Sequence, residues 1–177
     1  MVQYRRARIP GGSFFFTVTL ADRHSSLLID HVDALRGAFR QTRARHPFSI
    51  DAIVVLPDHL HSLWTLPPGD ADFPARWQGI KTRFTRALME RGLRIPRHHN
   101  GEPALWQRRY WEHAIRDDED RRQHFDYILF NPVKHGLVRQ VRDWPHSSFH
   151  RHVRQGLIPS DWGGTASGDG DFGERRA

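Results

Sequence analysis

Apolar residues recur along this chain with two different periods. Residues 13–20 (SFFFTVTL), 48–56 (FSIDAIVVL) and 59–66 (HLHSLWTL) are rich in aromatic and β-branched side chains and read as strands. Only Pro57-Asp58 separates the second from the third, which makes them a hairpin. Between the first two strands, Ile29, Val32, Leu35, Ala38 and Phe39 fall at helical spacing opposite an Arg-rich face. That helix runs from Leu28 to about Arg45, and Pro47 stops it. After the breaker Pro67-Pro68-Gly69-Asp70, the positions Phe73, Trp77, Ile80, Phe84 and Leu88 mark a second amphipathic helix over 72–91. Residues 93–103 read as loop, and 104–115 (ALWQRRYWEHAI) as a fourth strand. A third helix opens on the acidic turn Asp117-Asp118-Glu119-Asp120, as the helix dipole favours. It is expected to end near Asn131, because the residue before a proline avoids the α region. The chain to about Trp162 is short helix and loop, and 163–177 (GGTASGDGDFGERRA) reads as a disordered tail.

The resulting order is β-α-β-β-α-β-α with no internal repeat. It predicts an α+β fold of the ferredoxin-like (split βαβ) kind, an antiparallel sheet with helices packed on one face. With 177 residues, the chain holds one domain over 1–162, preceded by a basic arm and followed by the Gly-rich tail 163–177.

Charge changes the picture by naming a class of partner. Lys+Arg is 27 against Asp+Glu 20, giving a formal net charge of +7. Such an excess favours polyanions, nucleic acid first, because neutralising phosphates releases counterions. Lys81 and Lys134 are the only lysines; the other cations are arginines, whose planar fork suits phosphates and stacks on bases. A GC-rich coding bias accounts for the same excess of arginine, so charge nominates nucleic acid without proving it. With 11 Phe and 6 Trp the chain is not a disordered polyelectrolyte. The absence of Cys excludes disulfides and thiolate metal sites. No secretory or membrane-spanning segment is legible, so a cytoplasmic location is expected.

Two pairs of residues carry candidate chemistry. On a strand, His59 and His61 point to one face while Leu60 enters the core, so both imidazoles converge as two ligands for a divalent metal. The spacing alone is weak, because 13 histidines make a chance H-x-H unremarkable and a second occurs at His150-Arg151-His152. On the third helix, Tyr127 and Asn131 lie one turn apart on one face. Asn131 offers a carbonyl oxygen of the kind Mg²⁺ or Mn²⁺ accepts, and Tyr127 a phenol beside it. Taken by itself, the second pair is more ordinarily a buried tyrosine whose hydroxyl finds a partner and an asparagine that closes the helix before Pro132.

The strings around these residues are more specific. LPDHLHSLW (56–64), IKTRFTR (80–86), WQRRYWEHAIRD (106–117), DYILFNPVKHGLV (126–138) and DWPHSSFHRHV (143–153) resemble the REP-associated tyrosine transposases, single-tyrosine members of the HUH endonuclease group. The resemblance runs from about Tyr4 to Trp162, with the segments in family order. It implies an HUH endonuclease fold, a metal ion (Mg²⁺ or Mn²⁺) on His59, His61 and Asn131, and Tyr127 as a nucleophile that forms a 5′-phosphotyrosine. The implied partner is single-stranded DNA folded as a hairpin from repetitive extragenic palindromes (REPs), with a short guide such as GTAG. A monomer is favoured over a dimer, and nucleoid association would follow from DNA binding. Surfaces suited to that DNA are the arm Arg5, Arg6 and Arg8, the helix face Lys81, Arg83 and Arg86, the cations Arg108 and Arg109 among Trp106, Tyr110 and Trp111, and Lys134. One departure concerns Leu129 and Phe130, where relatives commonly carry His and Tyr: Leu129 weakens a supporting polar contact, which implies tuned or reduced activity, and Phe130 removes a rival hydroxyl, leaving only Tyr4, Tyr110 and Tyr127 as tyrosines. Three other readings stand beside this one. They are a non-catalytic hairpin-binding regulator of the same fold, an RNA-binding ferredoxin-like module, and a zinc hydrolase drawing on His113 or His124.

Overall fold

The computed structural model describes residues 8–164 and 172–173. Four strands, β1 (Ser13–Thr19), β2 (Ser49–Val55), β3 (His59–Thr65) and β4 (Trp111–Ala114), form one antiparallel sheet in the order β2-β3-β1-β4. That is the order the split βαβ reading expects. The helices are α1 (Leu27–Asp30), α2 (Val32–Arg45), α3 (Phe73–Glu90), α4 (Asp118–Lys134) and α5 (Phe149–Arg154).

Strand alternation decides which side each helix covers. Phe14, Phe16 and Val18 of β1 and Leu60 and Trp64 of β3 share a core with Leu35, Phe39, Trp77, Ile80 and Phe84 of α2 and α3. Trp64 and Trp77 stack at its centre, with ring centroids 4.3 Å apart. The expectation of helices on one face holds for α2 and α3. The other face is covered as well, because the intervening strand positions are also apolar. There Phe15, Ala52, Val54 and Leu63 pack against Ile128 and Leu129 of α4, with Val141, Trp144 and Phe149 beyond. Leu129 is wholly buried in this second core, where a polar side chain would need a partner.

Three expected boundaries shift. The helix predicted over 28–45 is broken at His31 into α1 and α2. The fourth strand is only Trp111–Ala114, since Trp106 turns inward as a core residue and its indole nitrogen donates to Thr85 Oγ1. Helix α4 does not stop at Asn131 but continues through Pro132 to Lys134. A proline this close to the C-terminal end removes a single ladder bond, and the last turn is closed by His135 N–H donating to the Asn131 carbonyl. No helix among the described residues is long and apolar enough to cross a membrane.

Candidate active site

The sheet register sets the site. Thr17 and Thr19 of β1 lie opposite His61 and His59 of β3, all on the face that α4 covers. His59 and His61 are buried, with rings 5.0 Å apart and nearly perpendicular. Each imidazole is held through Nδ1. A carboxylate only accepts, so the 2.8 Å contact between His59 Nδ1 and Asp58 Oδ1 places the proton on Nδ1. Thr17 Oγ1 donates its one hydrogen to the Phe172 carbonyl at 2.7 Å, so its 2.8 Å contact with His61 Nδ1 is one it accepts. Both rings therefore present the Nε2 lone pair, the tautomer a metal ligand needs. Burial raises the Asp58 carboxyl, but the hydrogen bond from His59 and the nearby Arg23 outweigh it and hold the group below its ordinary value.

Helix α4 supplies the remaining parts. The Tyr127 ring stands edge-on to His61 at 5.2 Å, and His135, two turns along, meets His59 at 5.2 Å. Asn131 lies between them on the same helix face and is fully buried. Two imidazole nitrogens and an amide oxygen are a mixed N/O donor set of the kind that could hold a divalent ion such as Mn²⁺ or Mg²⁺. Lys134 Nζ donates to the Tyr127 hydroxyl at 3.0 Å and sits 4.6 Å over its ring. That places a residue expected on the DNA-binding surface at the phenol itself.

The other basic residues are distributed differently. Arg5 and Arg6 lie outside the described residues; Arg8, Arg108 and Arg109 are exposed. Lys81, Arg83 and Arg86 belong to α3, on the opposite side of the sheet from His59 and His61. Lys81 Nζ donates to the Gln107 carbonyl and lies 5.3 Å over the Tyr110 ring, and Arg86 pairs with Glu90. Of the second H-x-H, His152 is buried against Phe125 and His150 contacts the Trp144 carbonyl.

Sequence reasoning overlooked two features of this site. His135 is one, although it follows Asn131 by four residues and so shares its face. The other is the tail. The Phe172 ring stacks on Tyr127 with centroids 3.7 Å apart and planes 14° from parallel, and it is buried. The next residue needs to be glycine: Gly173 has a positive φ of 72°, and a Cβ there would lie 2.3 Å from the Trp111 ring. An aromatic isolated in a Gly-rich segment was the available signal.

A second polar cluster lies close by. His113 of β4 and Asp120 and His124 of α4 bring three ligand atoms within 4.8 Å of one another, a group that could hold a metal ion. Here the Asp120 carboxylate already accepts from His113 Nε2 at 2.8 Å and from the Arg116 backbone N–H and Nε. Burial raises its pKa, yet Arg116 and His113 outweigh this and hold it far below the ordinary carboxylate range. Burial pushes His124 of this cluster down, and likewise His146 and His152. Histidines kept neutral in the folded state bind fewer protons than in the unfolded chain once the pH falls below about 6.5. Stability is therefore expected to decline as pH drops through that value, and the depressed Asp120 steepens the loss at lower pH. Thermal melts at pH 7.5, 6 and 5 check this; a melting temperature that rises towards pH 5 contradicts it.

No protein-family model matches the chain. It is 50% identical to the REP-associated tyrosine transposase of Escherichia coli over 175 residues, covering 99% of this chain and 98% of that one. A Haemophilus influenzae relative of the same family name is 48% identical over 166 residues, covering 93% and 94%. Among solved structures, a REP-associated tyrosine transposase bound to a REP hairpin superposes with a TM-score of 0.89 at 50% identity, covering 100% of this chain and 99% of the other.

Proposed function

The chain belongs to the REP-associated tyrosine transposases, and we propose that it cleaves and rejoins single-stranded DNA at REP-type hairpins through a covalent bond to Tyr127. The observation that carries this reading is the packing of the Tyr127 phenol between His61 and the Lys134 ammonium. A related chain bound to a REP hairpin supports the substrate class.

In this reading His59, His61 and Asn131 hold one divalent ion, Mn²⁺ or Mg²⁺. Bound there, the ion supplies Lewis-acid stabilisation of charge on the scissile phosphate. The chain's own residues do the rest. Asp58 and Thr17 fix the two imidazoles in one tautomer and one orientation. Lys134 holds the phenol oxygen in place and sets a positive charge beside it as its proton passes to solvent. The Tyr127 oxygen then bonds to phosphorus while the bond to the 3′ oxygen breaks. The leaving oxygen keeps the electron pair and takes up a proton. The products are a 5′-phosphotyrosine and a free 3′-hydroxyl, and attack by a second 3′-hydroxyl reverses the step without a nucleotide cofactor. Because α4 packs on its own sheet, one copy carries the whole set, and we take the monomer as the active unit.

The second reading, a hairpin-binding regulator that does not cut, is favoured by the ring of Phe172 lying on the nucleophile. Incubating the protein with a labelled REP hairpin carrying unpaired flanks, with Mn²⁺, Mg²⁺ or EDTA, separates the two on a denaturing gel. Cleavage predicts a protein-linked label that requires metal. Tight binding with no covalent species under any metal supports the regulator instead.

A further inference from the structure

A slot at the β2 edge of the sheet lies away from the donor set. Its lining includes the apolar Leu35, Phe39, Ile53 and Val55, together with His146, Ser147, Arg36, Arg40 and Arg151. Its volume is about 330 Å³, at the small end of ligand-sized clefts. No carboxylate lines it. Arg36 and Arg40 are exposed one turn apart on α2, whereas Arg151 Nη2 is committed to the carbonyls of Ile50 and Asp51. His146 Nδ1 is buried with no hydrogen-bond partner among the described residues. The cost of such a buried polar atom falls when a ligand supplies the missing bond.

We propose that this slot receives one unpaired nucleobase of the bound DNA strand, with the adjoining phosphate on Arg36 and Arg40. The proposal rests on the DNA-processing reading above and adds a specificity pocket to it. The aromatic and aliphatic lining suits a base face, and the His146 imidazole that lines the same slot suits a base edge. Burial and the neighbouring Arg36 keep that imidazole neutral, so it pairs with an uncharged base group. The two exposed arginines without an acidic neighbour in the lining suit phosphate.

The position of the slot makes this informative. Val55, in its wall, pairs with Leu60, the residue between His59 and His61. The slot and the donor set thus lie back to back across the sheet, and a strand must round the β2 edge to reach both. Residues 146–148 form that edge: Val55 N–H donates to the His146 carbonyl and Ser148 N–H to the Ile53 carbonyl. His146 is consequently fixed by backbone bonds, which leaves its ring to read the ligand.

The test measures fluorescence anisotropy of a labelled REP hairpin with four unpaired nucleotides, replacing each unpaired position in turn by an abasic residue. Wild-type protein, His146→Ala and Arg36→Glu are compared, with circular dichroism and melting curves confirming the fold. One abasic position is expected to weaken wild-type binding by about 5- to 10-fold and His146→Ala by less than about 2-fold, because the pocket is already compromised. Arg36→Glu weakens every oligonucleotide and lowers the slope of log K against log salt by about 1. If His146→Ala is as sensitive as wild type at every position, the base pocket is overturned while DNA binding stands. If affinity is unchanged but Arg36→Glu alters a monomer–dimer equilibrium in sedimentation, the slot belongs to a second copy and the proposal falls. Wild-type protein that binds no hairpin overturns the functional reading and this proposal together.

Discussion

Replacing His59 or His61 by Ala is expected to reduce covalent capture of hairpin DNA by about 10²–10³-fold or more while hairpin affinity changes little. In the proposed set each imidazole would supply one donor to the ion, and either substitution leaves only one imidazole and Asn131, too few protein donors to hold it. In the same proposal hairpin affinity would come from arginines on other surfaces and would not depend on the ion. Calorimetric titration with Mn²⁺ should show one site in wild type and none in either variant. His113→Ala distinguishes the two clusters that could hold metal. It is expected to leave both Mn²⁺ binding and capture near wild type, because Asp120 is already engaged by Arg116. Capture that survives His59→Ala but is lost in His113→Ala would move the metal to the second cluster.

Phe172→Ala should act in the opposite direction and accelerate capture. A phenyl ring lying flat on Tyr127 with centroids 3.7 Å apart covers one face of the phenol, and a phosphate approaching from that side would have to displace it. Burying the ring and stacking it contributes about 2–4 kcal/mol, which the entropy of ordering the tail partly offsets. A net bias of about 1–2 kcal/mol corresponds to a 5- to 30-fold excess of the covered state. Removing the ring therefore raises the single-turnover rate of adduct formation by about that factor, with hairpin affinity nearly unchanged. Thr17 gives the tail a second link to the chemistry, because the hydroxyl that bonds the Phe172 carbonyl also receives His61 Nδ1–H. An unchanged or slower rate in Phe172→Ala, measured at saturating Mn²⁺, would show that the ring does not cover the nucleophile in solution.

Much of this arrangement was legible from local pattern. Alternation in 59–66 placed His59 and His61 on one face, and spacing in 117–131 placed Tyr127 with Asn131, since both follow from backbone periodicity alone. What local pattern could not supply was which other elements come close. The second face of the sheet is covered because Phe15, Val54 and Leu63 are apolar between residues already assigned to the first core. Trp106 belongs to the core and Trp111 is partly exposed, although both sit in one aromatic and basic run. The local rule about Pro132 was outweighed by the close of the last turn of α4, and that extra turn is what sets Lys134 on Tyr127. The expected weakness at Leu129 is not one of contact with the donors, because its side chain fills the second core. Phe172 lies beyond any periodic segment, and its contact with Tyr127 spans 45 residues of sequence.

The Tyr127 phenol oxygen is the atom proposed to bond DNA, and mapping the adduct tests this most directly. Wild-type protein is incubated with the hairpin and Mn²⁺, digested, and the nucleotide-bearing peptide identified by mass spectrometry. Tyr127→Phe and Tyr110→Phe are run in parallel. A 5′-phosphate on Tyr127, absent in Tyr127→Phe and retained in Tyr110→Phe, is the predicted result. An adduct on Tyr4 or Tyr110, or one that persists in Tyr127→Phe, would contradict it.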